Sequence, residues 1–174
     1  MDGKTSCASP AFINPGAFPD PDLSTHRLEQ ISDLGKQLDE MTPQEKNRIK
    51  LSLYWFEQGL RANGLDGFIK HWVAIETLAM PDETNVKPVN EILAKLYKCT
   101  LKEASDKFGI GRIQGLRSRI LHNGEDLSIH QDLSKYVEAI FFDLLMACFG
   151  INDAHRSASV LNSPDFDLKK LTHA

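Results

Sequence analysis

The sequence writes the start of a helix three times over. Thr42-Pro43-Gln44-Glu45 supplies an N-cap hydroxyl, a proline at the first helical position and a glutamate that closes a capping box. Thr100 to Glu103 repeats the box, and Ser128 to Gln131 gives a third. Behind each start, apolar residues recur every three or four positions, the helical period. After Thr42 the stripe is Ile49, Leu53, Phe56 and Leu60, with a stop near Asn63-Gly64. The following segment LDGFIKHWVAIETLAM carries Phe68, Trp72, Ile75 and Ala79 on one line, with Ile69 and Val73 beside it. Pro88 opens another helix, Gly109 ends the one begun at Thr100, and a helix from Ile110 to Asn123 runs to a C-cap at Gly124. The third box leads into a long, largely buried helix to about Phe149, and Leu28, Ile31, Leu34 and Leu38 mark an earlier helix from Leu23 to about Asp39. No segment alternates as a strand would. The expected architecture is an all-α bundle of six or seven helices.

This places a single helical domain over 22–150. Before it, residues 1–21 hold four prolines and no periodicity, the pattern of a disordered arm. After it, 151–174 reads as a polar tail or loosely docked arm. A chain of 174 residues is long enough for one sizeable core. Its most apolar stretch, AIFFDLLMACFG, is too short to span a membrane and contains Asp143. No secretory signal is expected at the N-terminus. Cys7, Cys99 and Cys148 are scattered, which points to a reducing, cytoplasmic setting without a metal or cofactor, and Cys148 reads as a small core residue. The net charge of −4 argues against a protein that coats nucleic acid non-specifically, but leaves room for a local basic site.

That local site is GLRSRILHNGE, residues 115–125. On a wheel of about 100° per residue, Ile110, Ile113, Leu116, Ile120 and Leu121 form the apolar arc. Arg117 falls inside this arc. Arg112, Arg119 and Asn123 lie on the opposite, wet side, and His122 sits at the flank, one turn beyond Ser118. A guanidinium facing a core needs a carboxylate or a route for its stem to water. Glu76 has the matching oddity, because it lies on the apolar side of its own helix, at i+4 from Trp72. Either the two pair, or each points past the edge of its stripe. His122 occupies the last helical turn, where the helix dipole favours the imidazolium form. LKEASDKFGIGRIQGLRSRI also has the outline of a helix-turn-helix, but Gly115 and Ser118 stand where that motif needs apolar residues.

The Arg-x4-His spacing of RSRILH, together with the upstream FIKHWVAIETL, resembles the Rx4–6H signature of HEPN domains, and more narrowly their Apea-like branch. The likeness covers roughly residues 40–150. It implies a HEPN-like helical bundle acting as a homodimeric, metal-independent endoribonuclease, of the toxin, phage-defence or RNA-processing kind. Carried over by position, Arg117 would stabilise the scissile phosphate, with Arg119 as a further phosphate contact. His122 would move a proton at the 2′-hydroxyl or the leaving oxygen. Glu76 would orient Arg117, and Ser118 and Asn123 would support the site. Cleavage through the 2′-hydroxyl suits such a set, since it needs a proton shuttle and a cation on the phosphate. Ser118 departs from the asparagine more usual after the arginine and has a shorter reach. No tyrosine follows two residues after His122, so the Rx4HxY form is absent. The alternative is a non-catalytic HEPN module that binds nucleotide, RNA or a protein partner such as an antitoxin. Arg117 and His122 stand about 140° apart on one helix, so they do not converge on one phosphate from a single copy. A two-fold dimer would bring them together.

Overall fold

The computed structural model describes residues 25–123, 129–152 and 155–172. The chain divides into two compact units, Met1–Asp39 and Glu40–Ala174. The first holds α1 (Thr25–Glu40) up to its last residue, and in it Asp33 and Lys36 form an exposed pair at 3.0 Å. The arm expected over 1–21 lies outside the described residues.

The second unit is all-helical: α2 (Pro43–Leu60), α3 (Gly64–Ala79), α4 (Lys87–Leu96), α5 (Leu101–Phe108), α6 (Ile110–Asn123), α7 (Gln131–Cys148), α8 (Arg156–Leu161) and α9 (Leu168–Thr172). The boxes at Thr42 and Thr100 form as expected. In each, the threonine hydroxyl accepts from the backbone N–H of the glutamate three residues on, and that glutamate reaches back to the threonine N–H at 2.8 Å. The third start differs. α7 begins at Gln131 with His130 as its N-cap, its ring accepting from the Asp132 N–H at 3.3 Å. Ser128 and the expected C-cap Gly124 lie outside the described residues.

α2 and α3 form a hairpin, α3 packs along α7, and α4 packs on α5 and α7. The core is built from Phe68, Trp72 and Ile75 of α3, Leu93 and Leu96 of α4, Phe108, Ile110 and Ile113, and Leu133, Tyr136, Ile140 and Phe141 of α7. Phe56 stacks on Phe141 with centroids 4.4 Å apart, and the Tyr136 hydroxyl donates to the Phe108 carbonyl at 2.9 Å.

Four features depart from expectation. The buried face of α2 is Ile49, Ser52, Phe56 and Gly59, whereas Leu53 and Leu60 are 42% and 57% exposed. The small residues face inward because α3 approaches closely: the His71 ring fills the space where a Gly59 side chain would stand. Leu121 is 48% exposed instead of closing the apolar arc of α6, and Cys148 is exposed rather than a core residue. The segment read as a polar tail or loosely docked arm contributes α8 and α9, so the described residues hold nine helices, two beyond the upper expectation.

Both extra helices are held by specific seats. The buried Asp143 carboxylate accepts from the Arg156 and Ser157 N–H groups at 2.9 Å each, from the Ser157 hydroxyl at 2.6 Å and from the Tyr97 hydroxyl at 2.7 Å. An anion at the start of α8 satisfies the open N–H groups of its first turn. Burial, with the Asp143 carboxylate nearby, pushes the Tyr97 phenol up to about 12. α9 sits over the α5–α6 turn. Gly109 adopts the left-handed conformation there (φ 58°), and a Cβ on it would stand 2.6 Å from the Leu168 side chain.

Candidate functional site

α3 and α6 bring two of the singled-out side chains, Glu76 and Arg117, together, with Trp72 behind them. Trp72 is fully buried, and its indole N–H donates to Glu76 Oε1 at 2.8 Å, one turn along the same helix. The other carboxylate oxygen, Oε2, accepts from Arg117 Nη2 of α6 at 3.4 Å. Glu76 and Arg117 are both half-buried, with side chains 28% and 24% exposed. The inward position of Arg117 and its pairing with Glu76 thus match the wheel argument. At 3.4 Å the contact is longer than the usual ~2.7–2.9 Å of a charge-assisted bond, so it orients the guanidinium without saturating it. Arg117 Nε is buried with no hydrogen-bond partner among the described residues. The arrangement is a relay in which a fixed indole holds a carboxylate and the carboxylate holds a cation with donors to spare.

The remaining members are not gathered into that relay. His122 is exposed in the last turn of α6, beside the exposed Leu121, and no contact links it to Arg117 among the described residues. Ser118 is half-buried. The Asn123 side chain lies outside the described residues.

Arg119 corrects the reading of a wet arginine. It is half-buried, and its Nη2 donates to the Thr172 carbonyl at 2.8 Å, tying α6 to α9. The cause is tertiary, since α9 docks on the face of α6 that the wheel leaves to solvent. The helix-turn-helix outline loses its basic face in the same way: Arg117 turns to Glu76, Arg119 turns to Thr172, and Arg112 is exposed.

Two groups escaped the sequence reading. The part of Trp72 as a hydrogen-bond donor was hidden behind its place on an apolar stripe. His71 is buried at 2% exposure with neither ring nitrogen hydrogen-bonded among the described residues. It falls three residues after Phe68 and four before Ile75, a spacing that already put it on the buried face.

Among the described residues, no three His, Cys, Asp or Glu side chains gather as a metal-binding set, and no helix is long and apolar enough to cross a membrane. Compared with protein-family models, curated proteins and solved structures, the chain matches none.

Proposed function

We propose that the chain is a HEPN-type endoribonuclease that cleaves RNA through the ribose 2′-hydroxyl, without metal, at a site shared by two copies. The observation that carries this reading is the Trp72–Glu76–Arg117 relay. It holds a half-buried guanidinium in fixed orientation, with donors left for a phosphate, on the same helix that presents an exposed histidine. In this reading Arg117 neutralises charge on the pentavalent phosphate, where a preorganised donor acts most strongly. His122 takes the proton of the 2′-hydroxyl or returns one to the 5′-oxygen. The exposure of Leu121 beside His122 supports a second copy meeting this end of α6. A cytoplasmic toxin, defence or RNA-processing role, with or without a restraining antitoxin, is the setting that the HEPN resemblance implies.

The test is incubation of the purified protein with single-stranded RNA in EDTA. Products ending in 2′,3′-cyclic phosphate are expected. His122→Ala should abolish cleavage while leaving helicity intact. Cleavage that survives this substitution, or that requires added metal, contradicts the mechanism.

One observation favours a second reading, the non-catalytic binding module. Arg119, the further phosphate contact in the resemblance, is committed to the Thr172 carbonyl, which leaves the site with less cationic charge. RNA binding without cleavage by the wild-type protein would select that reading.

A further inference from the structure

The docking of α9 on α6 gathers basic residues from two distant parts of the chain. Arg112 and Arg119 lie seven residues apart on α6, within about 20° of each other around the helix, so both project from one line. α9 runs beside that line. At its start, the Leu168 side chain and the Arg112 stem both close on Gly109. A Cβ there would stand 2.6 Å from Leu168 Cδ2 and 3.7 Å from Arg112 Cδ. At its end, the Thr172 carbonyl accepts from Arg119 Nη2 at 2.8 Å. Leu168 and Thr172 are buried, whereas Lys169 and Lys170 between them are exposed.

This charge is not neutralised within the chain. Arg112 is exposed, and neither it nor Lys169 nor Lys170 makes an ion pair among the described residues. The adjoining Asp167 carboxylate is turned to the start of α9, where it accepts from the Lys169 and Lys170 N–H groups at 3.0 and 3.2 Å. Asp165 lies with Lys135 of α7 in a separate hollow. The chain as a whole carries 24 acidic residues against 20 basic ones. Three exposed cations without a carboxylate, on one ridge of such a chain, call for an anion from outside.

Their spacing discriminates between anions. A single phosphate is held by donors that converge on it. These cations are instead strung along α6, where Arg112 to Arg119 spans about 10 Å at 1.5 Å per residue, and along α9 beside it. A row of this kind suits an anion whose charge repeats, as in a nucleic-acid backbone that gives up counterions to bound lysines and arginines. Beyond Arg119, α6 continues for one more turn to the exposed His122. A strand lying on the ridge is thereby led toward that end of the helix.

We propose that Arg112, Lys169 and Lys170 form a phosphate-tracking ridge for single-stranded RNA, with α9 supplying two of its three cations. The ridge deepens the ribonuclease reading and rests on it for the choice of strand, while its test reads binding alone.

Binding would be followed by fluorescence anisotropy of a labelled single-stranded 2′-O-methyl RNA across a salt series in EDTA. Its blocked 2′-oxygen prevents cleavage. Each phosphate contact contributes about 0.7 to the slope of log K against log salt for a single strand. The triple variant R112A/K169A/K170A should bind more weakly at low salt, with a slope smaller by about 2. The double variant K169A/K170A leaves the Arg112 stem beside Leu168 in place and should lower the slope by about 1.4. A charge-matched control, K50A/K87A/K102A, removes three exposed lysines of α2, α4 and α5 and should keep the wild-type slope. No salt-dependent binding by wild type, unchanged slopes in both ridge variants, or an equal loss in the control would each overturn the ridge. Binding to phosphatidylserine vesicles but not to the RNA would also overturn it. Ridge-dependent binding by a protein that cleaves no natural RNA would keep the ridge and overturn the ribonuclease reading. Cleavage by a protein whose ridge variants keep their slopes would do the reverse.

Discussion

Glu76 is the residue through which a buried indole reaches an exposed face. Its two oxygens divide the work, Oε1 to the Trp72 N–H and Oε2 to Arg117. Glu76→Gln keeps an acceptor for the indole but loses the charge that holds the guanidinium. Since the pair is half-exposed and long, its net contribution to stability is small, about 1 kcal/mol or less. The expected outcome is a melting temperature within a few degrees of wild type, with RNA cleavage slowed about tenfold through kcat; unchanged cleavage kinetics would show that the carboxylate does not position Arg117.

His71 gives a pH-dependent prediction at the same scale. Burial depresses its pKa below the ordinary 6.5, so between 6.5 and the folded value the unfolded chain holds more protons than the folded one. The stability this group contributes is complete above pH 6.5 and is lost as pH falls toward the folded pKa. Glu138 has the opposite sign: burial raises its pKa above 4.5, so its contribution is present in acid and lost as pH rises through the folded value. His71→Phe should remove the first dependence. Its melting temperature relative to wild type should therefore be higher near pH 5 than near pH 8, and an offset equal at both would contradict the assignment.

At the scale of elements, α8 and α9 are folded by what they dock on. Each is short, six and five residues, below the length at which a helix stands alone. Asp143→Asn would weaken the charge-assisted bonds at the α8 N-terminus and set an amide donor against N–H groups, a loss of about 2–4 kcal/mol seen in chemical denaturation. Gly109→Ala forces a side chain into the left-handed region and against Leu168. Roughly 1–3 kcal/mol of destabilisation is expected, with faster amide exchange in α9 before α7. The same docking explains what the sequence could and could not disclose. The helices through α7 were readable because threonine boxes, prolines and glycines punctuate a period of three to four. RSASVL carries no comparable punctuation, and LKKLT, although the Asp167 carboxylate caps it by accepting from the Lys169 and Lys170 N–H groups at 3.0 and 3.2 Å, is too short to show a helical period; their seats, a buried Asp143 and a gap over Gly109, lie far away in the chain. The register of α2 was misread because Leu53 and Leu60 outweigh Ser52 and Gly59 on any count of apolar residues. Close approach of α3 selects the small residues instead. Arg117 and Glu76 were visible as charges out of place on apolar faces. Arg119 was not, because its partner is a backbone carbonyl, and a backbone carbonyl leaves no mark in a sequence.

At the scale of the whole molecule, the proposed ribonuclease site is incomplete in one copy. Arg117 turns toward α3 and Glu76, His122 stands exposed at the end of α6, and their separation of about 140° around the helix keeps them from one phosphate. The proposed ribonuclease therefore needs a symmetric partner that sets the His122 of one copy near the Arg117 of the other. The most direct measurement is cleavage of single-stranded RNA in EDTA by an equilibrated equimolar mixture of Arg117→Ala and His122→Ala chains. Each variant alone should be inactive. In the mixture half of the dimers are mixed and one of their two sites is intact, so about a quarter of wild-type activity is predicted. Activity absent from the mixture while wild type cleaves would place both groups in one copy and contradict the shared site.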